Sequence, residues 1–182
     1  MHMAQNNGDN AKKARKLCEH GLWPEVLSFA QHWHQDHPTD YLALFYMGLG
    51  HAGLKQFPQA EAAYRQALAL DGTDARVWDN LAGVLYENLQ RKTEGISLAE
   101  QAVKINPGHK VGWANLATMV GRLGKYEQAI AYADRAIALD SKFVEAHLHK
   151  AAAGLALGKL EVVKEVCQTL AAIEPEKFRR AR

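Results

Sequence analysis

The chain has 182 residues, of which 48% are hydrophobic and 23% are charged, and its 22 basic and 20 acidic side chains leave a net charge of +2. Intrinsically disordered chains combine few apolar residues with a high net charge, so this composition excludes that class. The near-neutral balance gives no strong basic field for a nucleic-acid partner, and no stretch reaches the ~18 apolar residues that span a membrane. We therefore expect a folded protein with no nucleic-acid partner and no membrane partner.

The start of the chain and its cysteines bear on the cellular compartment. The first residues, Met1 to Asn7, lack the apolar core of a secretory signal peptide. Cys18 and Cys167 lie near opposite ends of the sequence, too far apart in an elongated fold for a disulfide, whose Cα atoms lie within roughly 7 Å of each other. Free thiols are typical of a reducing compartment. We expect a cytoplasmic protein, with the periplasm as the alternative if a signal sequence has been removed.

In chain order, the predicted elements are pairs of helices that recur every 34 residues. When Trp78 is aligned with Trp113, small residues fall into one column and turn-forming residues into another, with a single extra residue between Trp78 and Pro107. A fixed period of this length is typical of repeat proteins. We predict one domain at 7–177, with a disordered tail at 1–6, a C-terminal tail at 178–182, and five repeats at 7–40, 41–74, 75–109, 110–143 and 144–177.

Each repeat is predicted to form two helices joined by a tight turn. In the fourth repeat, Trp113, Leu116 and Val120 follow the i, i+3, i+7 spacing of one helix face. Gly124 then supplies a turn signal, and a second apolar-periodic segment runs over 129–137. The shared column of small residues lets neighbouring helices approach closely while larger side chains fill the remaining space.

Three short motifs recur within the repeats: Trp-x-x-Leu-Ala near the start, Gly-x-Tyr-x-x-Ala-Ile in the middle and Ala-Ile-x-Leu-Asp near the end, and 110–143 contains all three. This pattern resembles the tetratricopeptide-repeat (TPR) family. The resemblance implies an all-α fold, a right-handed α-solenoid of stacked antiparallel helix hairpins. A four-helix bundle is the alternative, but a bundle gives no reason for a strict 34-residue period.

Two segments carry residues that are typical of chemical sites. The run 48–53 matches G-x-G-x-x-G, but it lies inside a predicted helix and lacks the preceding strand that a dinucleotide site needs. His32, His34 and His37 cluster at the end of the first repeat, yet only the last two have a helical spacing suited to a metal. We expect no cofactor and no metal. No nucleophile elbow, phosphate loop or paired-carboxylate signature occurs, so we also expect no enzymatic activity.

The first helix of each repeat lines a concave groove in the TPR family, where an extended peptide binds. The resemblance therefore implies a non-enzymatic interaction or scaffold module whose partner is a protein or peptide. Amides there hold a peptide backbone, arginines hold carboxylates and tyrosines add amphipathic contact area. Thr118 is one groove-facing position, and the candidate peptide-binding residues are Arg15, Tyr46, Arg76, Asn80, Tyr86, Asn115, Arg122 and His149.

Some co-chaperones of this family hold a C-terminal carboxylate in a clamp of Lys, Asn and Arg side chains. At the equivalent positions of this chain only Arg76 keeps its charge, while Ala11, Arg15, Tyr46 and Asn80 depart from the pattern. We therefore predict that this chain has no clamp of that type.

The two ends of the predicted array differ. The first helix is polar, as a solvent-facing cap requires, whereas no helix follows the last pair, whose apolar residues include Val162 and Val166. One interpretation is a homodimer that forms through this C-terminal helix. Another is a substrate-recognition segment of a larger enzyme or of a secretion or assembly complex, truncated after the fifth repeat. Apart from the chain ends, an RNA-binding helical repeat of similar period is a rival function for the whole chain. Such repeats need a basic concave face, which the near-neutral charge and the acidic Asp79 and Glu87 of the groove oppose.

Overall fold

The computed structural model describes residues 2–173 and 175, with side chains from Gly8 onward. Over these residues the chain forms ten α-helices and one π-helix and has no strand, which confirms the predicted all-α fold of helical hairpins. It divides into two compact units, Met1–Ile105 and Asn106–Arg182. No helix within the described part of the chain is long and apolar enough to cross a membrane.

Unit 1 (Met1–Ile105) contains three helical hairpins. Helix α1 begins at His2, inside the segment 1–6 that the sequence predicted as a disordered tail. Helix α2 packs on α3, and α4 packs on α5. The elements are α1 (His2–Glu19), α2 (Trp23–Asp36), α3 (Tyr41–Gly53), α4 (Phe57–Leu70), α5 (Ala75–Gly83), a π-helix (Val84–Asn88) and α6 (Lys92–Ile105).

Unit 2 (Asn106–Arg182) contains two hairpins. Its helices are α7 (Lys110–Gly121), α8 (Tyr126–Leu139), α9 (Val144–Ala156) and α10 (Leu160–Ile173). Helix α9 packs against α7, α8 and α10. The second to fifth hairpins of the chain begin at residues 41, 75, 110 and 144, which are the predicted starts of those repeats. The predicted tail at 178–182 lies outside the described residues.

The turn inside each hairpin depends on one residue with a left-handed backbone. These residues are Gly21 (φ 66°), Lys55 (φ 60°), Gln90 (φ 57°), Gly124 (φ 77°) and Gly158 (φ 70°). Glycine adopts this conformation without a steric penalty, whereas an L side chain costs roughly 1–2 kcal/mol there. The turns at Lys55 and Gln90 therefore carry a backbone cost that the three glycine turns avoid.

The extra residue of the third repeat is accommodated in a π-helix, Val84–Asn88, that continues directly from α5. The Leu89 N–H donates to the Val84 carbonyl at 3.1 Å, and this i to i−5 bond is the π-helical pattern. Gly95 of α6 lies against the widened turn, since a Cβ atom there would stand 2.8 Å from Tyr86 Cβ and 2.9 Å from the Ala82 carbonyl oxygen. The insertion therefore widens a helical turn that α6 approaches closely.

Aromatic side chains dominate the core of unit 1. The rings of Trp33 and Tyr46 stack with their centroids 6.0 Å apart, and Phe45 meets Tyr46 edge to face at 5.2 Å. Tyr64 is fully buried beside them. A Cβ atom on Gly48 would collide with the Tyr64 ring. Gly48 belongs to the small-residue column of the repeat, and close packing against a buried ring explains why that position is small.

The core of unit 2 is built from smaller side chains. Leu116 and Val120 of α7 and Ala133 of α8 are buried. Trp113 lies at the edge of this core, and its indole N–H donates to the Pro107 carbonyl at 2.9 Å, which ties the start of α7 to the preceding turn.

The last hairpin corrects one expectation about self-association. Val166 is 1% exposed, so it does not belong to the uncovered surface on which the sequence placed it. Helix α10 packs on α9, and an amphipathic helix turns its most apolar face toward its own partner. The large exposed apolar residues of this hairpin are instead Leu148, Leu155 and Leu160.

Candidate functional site

Two of the candidate binding residues in unit 1 are buried tyrosines. Tyr46 is 5% exposed, its ring stacks on Trp33, and its hydroxyl donates to the Ala11 carbonyl oxygen at 3.2 Å. Tyr86 is 2% exposed. The contact area that the sequence assigned to these rings is therefore held inside the protein, where large planar side chains stabilise a core most strongly.

Arg76 is bound to a carboxylate of its own chain. Its Nη2 atom lies 2.5 Å from Asp74 Oδ2, and its guanidinium lies 5.3 Å from the centroid of the Phe45 ring. Asp74 also caps α5 by accepting from the Arg76 backbone N–H at 2.9 Å, and it accepts from the Tyr41 hydroxyl at 3.1 Å. A ligand carboxylate at Arg76 would compete with this internal partner.

The titration of this cluster follows from its contacts. Burial raises the pKa of Asp74, but the hydrogen bonds from the Arg76 side chain and backbone outweigh burial and leave that pKa lowered. Burial, reinforced by the nearby Asp74 carboxylate, raises the pKa of Tyr41 to about 12. At neutral pH the cluster therefore consists of an ionised carboxylate, a guanidinium and a protonated phenol. Asp74 and Tyr41 were missed by the sequence analysis, although Asp before a predicted helix is an N-cap signal.

Arg15 and Asn80 present polar groups with modest internal contacts. Asn80 is half-buried, and its Nδ2 donates to the Arg76 carbonyl one helical turn earlier at 2.8 Å, so its Oδ1 is the atom suited to accept from a ligand. The side chain of Arg15 is exposed and lies 3.7 Å from Glu19. Exposed ion pairs of this kind are weak, which leaves the Arg15 guanidinium able to exchange partners.

In unit 2, α7, α9 and the start of α8 border an open cleft of about 360 Å³, here called the unit 2 cleft. Two of the predicted binding residues, Arg122 and His149, line it together with Thr118. Asn115, which is half-buried on α7, does not. The remaining walls are the apolar or aromatic residues Ala117, Gly121, Tyr126, Ala129, Ala152 and Ala153.

The polar end of the unit 2 cleft is a hydrogen-bonded chain. The Thr118 hydroxyl donates to the Ala114 carbonyl at 3.1 Å, and His149 Nε2 lies 3.0 Å from the same hydroxyl oxygen. His149 Nδ1 lies 3.4 Å from that oxygen, so the Thr118 hydroxyl is close to both nitrogens of the ring. Burial lowers the pKa of His149; Glu145 opposes this shift and Arg122 reinforces it. The imidazole is therefore neutral at pH 7.

The unit 2 cleft exists because small residues face one another on three helices. Gly121 ends α7, Ala129 lies in the first turns of α8, and Ala152 lies on α9. In the second repeat the position of Thr118 is taken by the larger Leu49, which packs against the core of unit 1. The repeat pattern of the sequence identified the polar residues of the cleft, but the apolar residues of the cleft walls were not predicted.

No metal-binding arrangement occurs among the residues that the structure describes. Groups of three or more His, Cys, Asp or Glu side chains that could hold an ion are absent from that part of the chain. In the histidine cluster of the first repeat, the His32 ring is hydrogen-bonded to the Ser28 carbonyl at 2.7 Å. The His32 ring is therefore hydrogen-bonded within its own helix.

Tetratricopeptide-repeat models match residues 41–74, 75–109 and 116–162, and together they span more than half of the chain. The chain belongs to the tetratricopeptide-repeat family. This confirms the resemblance read from the motifs, and the TPR fold supports a role as a protein-interaction module.

Two proteins are similar in sequence to part of this TPR chain. Serine/threonine-protein phosphatase 5 of Homo sapiens is 30% identical over 118 residues, which are 65% of this chain and 22% of that protein. Protein FlbA of Caulobacter vibrioides is 32% identical over 90 residues, which are 50% of this chain and 15% of that protein. The chain thus spans about a fifth of the length of these relatives, and the phosphatase activity in the first name belongs to a much longer protein.

Solved structures of TPR proteins share the fold over nearly the whole chain. PilF of Pseudomonas aeruginosa superposes with a TM-score of 0.85 at 18% identity, covering 95% of this chain and 78% of that one. MamA superposes with a TM-score of 0.74 at 17% identity, covering 96% and 97%. YrrB, described as a TPR protein with an unusual peptide-binding site, gives 0.69 at 14% identity, covering 93% and 87%. Likeness at these identities shows the fold alone.

Proposed function

We propose that this TPR chain is a non-enzymatic interaction module that binds an extended peptide segment of a partner protein, and that the unit 2 cleft is part of the binding surface. One observation carries the proposal. Arg122 and His149, which the repeat register assigned to the groove-facing side of two successive first helices, line a single cavity of about 360 Å³. Apolar walls with a few converging polar groups are typical of ligand sites.

The chemistry of the unit 2 cleft suits a peptide better than a charged small molecule. The imidazole of His149 is neutral, and most of the wall is alanine, glycine and tyrosine. Such a surface suits contact with a side chain of the peptide. The peptide-binding site in the description of YrrB supports the choice of a peptide as the ligand class.

Unit 1 offers a second, more polar set of contacts. We propose that Arg15 and the Oδ1 atom of Asn80 contribute there, because one is exposed and the other has an acceptor beyond its bond to Arg76. Arg76 contributes less, since a ligand must displace Asp74. Tyr46 and Tyr86 are left out of the proposed surface because they are buried.

The experiment is a selection of random peptides displayed on phage against the immobilised full chain, followed by titration of selected synthetic peptides. The blocking variant is Ala152→Leu, which fills the cleft from an exposed position on α9. Its matched control is Ala131→Leu, the same change at an exposed position on α8 that does not line the cleft. Arg122→Ala is paired in the same way with Arg135→Ala.

We expect Ala152→Leu to weaken the selected peptides at least tenfold, because the added side chain occupies the space that a peptide side chain would fill. Arg122→Ala should weaken them by a smaller factor, and both controls should bind as the unmodified chain does. Equal affinities for Ala152→Leu and Ala131→Leu would show that peptides bind elsewhere. Failure to select any peptide would contradict the proposed ligand class.

A further inference from the structure

We propose that one face of α1 in unit 1 docks an acidic amphipathic helix of a partner protein. This surface, here called the α1 face, consists of Lys13, Lys16, Leu17, His20 and Leu22. The inference is independent of the unit 2 cleft. It depends on three observations: a helix covers the matching side of α3, the α1 face contains an apolar groove, and its lysines lack a carboxylate partner among the described residues.

The second repeat shows what this side of a helix contacts. Gly50 of α3 follows Lys16 by one repeat of 34 residues. A Cβ atom on Gly50 would stand 3.0 Å from the Leu27 backbone of α2, so this side of α3 receives the second helix of the preceding hairpin. On α1, Lys13, Lys16 and His20 are instead exposed. Within the described part of unit 1, the α1 face therefore has the position of a helix-binding surface but carries no helix.

The α1 face contains an open groove of about 210 Å³. Leu17 and Leu22 supply its apolar side chains, and Leu22 is 41% exposed. The methylene groups of Lys13 and Lys16 add apolar surface, because a lysine stem packs along such a groove while its ammonium stays in water. An amphipathic helix binds a groove of this kind by inserting its apolar side chains. We infer that one large apolar side chain of the partner helix occupies the groove.

The lysines of the α1 face differ from their neighbour Lys12 in their contacts. The Lys12 ammonium lies 3.5 Å from the Asp9 carboxylate. The Lys13 ammonium lies 4.5 Å from the centroid of the Phe29 ring, and neither Lys13 nor Lys16 has a carboxylate partner in the described part of the chain. Complementary charges across an interface favour the correct partner. The α1 face therefore favours an occupant that carries carboxylates.

An acidic helix fits this charge better than a nucleic acid or an anionic membrane does. Nucleic-acid sites rely on many contacts with phosphates, and basic segments that bind anionic lipids carry about 4–8 lysines or arginines. The α1 face has two lysines and one histidine. Carboxylates spaced three or four residues apart lie on one side of a helix. A single acidic helix can therefore place one carboxylate near Lys13 and another near Lys16.

The test uses labelled peptides that differ in one property. The probe is a fluorescein-labelled, alanine-based helix with two leucines one turn apart and glutamates on both sides of them. One comparison peptide has lysines in place of the glutamates, and the other has alanines in place of the leucines. Fluorescence anisotropy with the full chain measures each affinity. We expect the acidic leucine peptide to bind about tenfold more tightly than either comparison peptide, and added salt to weaken its binding.

Charge-reversal variants assign the binding to the α1 face. Lys13→Glu/Lys16→Glu replaces both unpaired cations by anions and should weaken the acidic leucine peptide at least about tenfold, because like charges then face each other. The matched control is Lys142→Glu/Lys159→Glu, the same change at exposed positions of unit 2. This control should bind the peptide as the unmodified chain does.

A second pair of variants tests the groove, and thermal unfolding tests a structural role. Leu22→Ser removes an apolar side chain of the groove and should weaken the acidic leucine peptide several-fold, whereas Leu139→Ser, at an exposed leucine of unit 2, should not. Cations near the end of a helix also stabilise it. A purely structural role of Lys13 and Lys16 would lower the unfolding temperature, followed by circular dichroism, without changing peptide affinity. If the double glutamate variant does not fold, Lys13→Gln/Lys16→Gln replaces it.

Several results would overturn the inference. Equal affinities for the acidic and the basic peptide would contradict it, as would equal affinities of Lys13→Glu/Lys16→Glu and its control for the acidic peptide. Binding of single-stranded RNA or of phosphatidylserine vesicles at these lysines, without binding of the acidic peptide, would assign the α1 face to another class of ligand. Ala152→Leu, which fills the unit 2 cleft, should leave the affinity for the acidic peptide unchanged, so the outcome does not depend on the proposed function.

Discussion

Gly95 of α6 gives the sharpest test of how the π-helix is packed. Gly95→Ala adds one methyl group whose nearest neighbours would be Tyr86 Cβ at 2.8 Å, the Ala82 carbonyl oxygen at 2.9 Å and the Tyr86 amide nitrogen at 3.0 Å. All three neighbours are backbone atoms or a Cβ, so none of them can move by a side-chain rotation. The added methyl therefore forces α6 away from the π-helix or distorts the widened turn.

The expected magnitude combines two opposing effects. Replacing glycine by alanine inside a helix stabilises it by about 1 kcal/mol. Overpacking a close contact costs typically 1–3 kcal/mol, and backbone neighbours place this site at about 3 kcal/mol on that scale. The net expectation is a loss of about 2 kcal/mol in the free energy of unfolding, the difference of those two effects.

Gly83→Ala is the matched control. Gly83 ends α5 with a helical backbone, φ −59° and ψ −47°, and a Cβ atom there would meet nothing within 4 Å. The control should therefore raise stability by up to about 1 kcal/mol. Urea unfolding followed by circular dichroism measures both midpoints. If Gly95→Ala raises the midpoint as Gly83→Ala does, the close approach of α6 to the π-helix is refuted.

Three further predictions follow from the turns, the cleft and the last hairpin. Lys55→Gly and Gln90→Gly should each stabilise the chain by about 0.5–1 kcal/mol. Both residues hold a positive φ, which costs an L side chain roughly 1–2 kcal/mol, and the freedom that glycine adds to the unfolded chain offsets part of this gain. Unchanged urea midpoints would contradict this prediction. Burial lowers the pKa of His149 from its ordinary value of 6.5, so the unfolded chain takes up the proton first and stability falls as the pH drops below about 6.5. His149→Gln should flatten that part of the curve of unfolding free energy against pH, and an unchanged slope would refute the assignment. We propose that the last hairpin self-associates through Leu155 and Leu160, which are 63% and 65% exposed; analytical ultracentrifugation should show a dimer that Leu155→Ser/Leu160→Ser dissociates, and a concentration-independent monomer would contradict it.

The helical hairpins could be predicted because their signals are local and repeated. The spacing of Trp113, Leu116 and Val120 needs only one helix to interpret, and the 34-residue period places the same spacing in each repeat. The extra residue of the third repeat was also visible. The structure that this residue adopts could not be predicted, because a longer loop and a π-helix would both accommodate one extra residue. The close contact of Gly95 with Tyr86 and Ala82 distinguishes the two.

The two tyrosines show where the repeat register fails. Tyr46 shares its column with Asn80, Asn115 and His149, but its ring stacks on Trp33 and its hydroxyl reaches the Ala11 carbonyl. The repeat column determines the position of the Cα atom, whereas contacts with neighbouring repeats determine where the end of a long side chain lies. Tyr86 lies within the π-helix, and one extra residue turns the following side chains by about 100° relative to an α-helix.

The polar residues of the unit 2 cleft could be predicted from the sequence, but its apolar walls could not. Polar residues indicate a surface, whereas small residues give no sign of the space beside them. Arg122 and His149 hold groove-facing columns of the repeat, and both line the cleft. The cavity beside them arises from the small size of Gly121, Ala152 and Ala153. From one sequence, small residues like these are assigned to close helix packing, as Gly48 is. Gly48 lies against the Tyr64 ring, whereas an added Cβ on Gly121 would have Ala129 Cβ at 3.5 Å as its neighbour. A small residue allows close packing when an aromatic ring lies opposite it, and it leaves a cleft when another small residue lies opposite it. The two cases can be distinguished only when the residue on the facing helix is known.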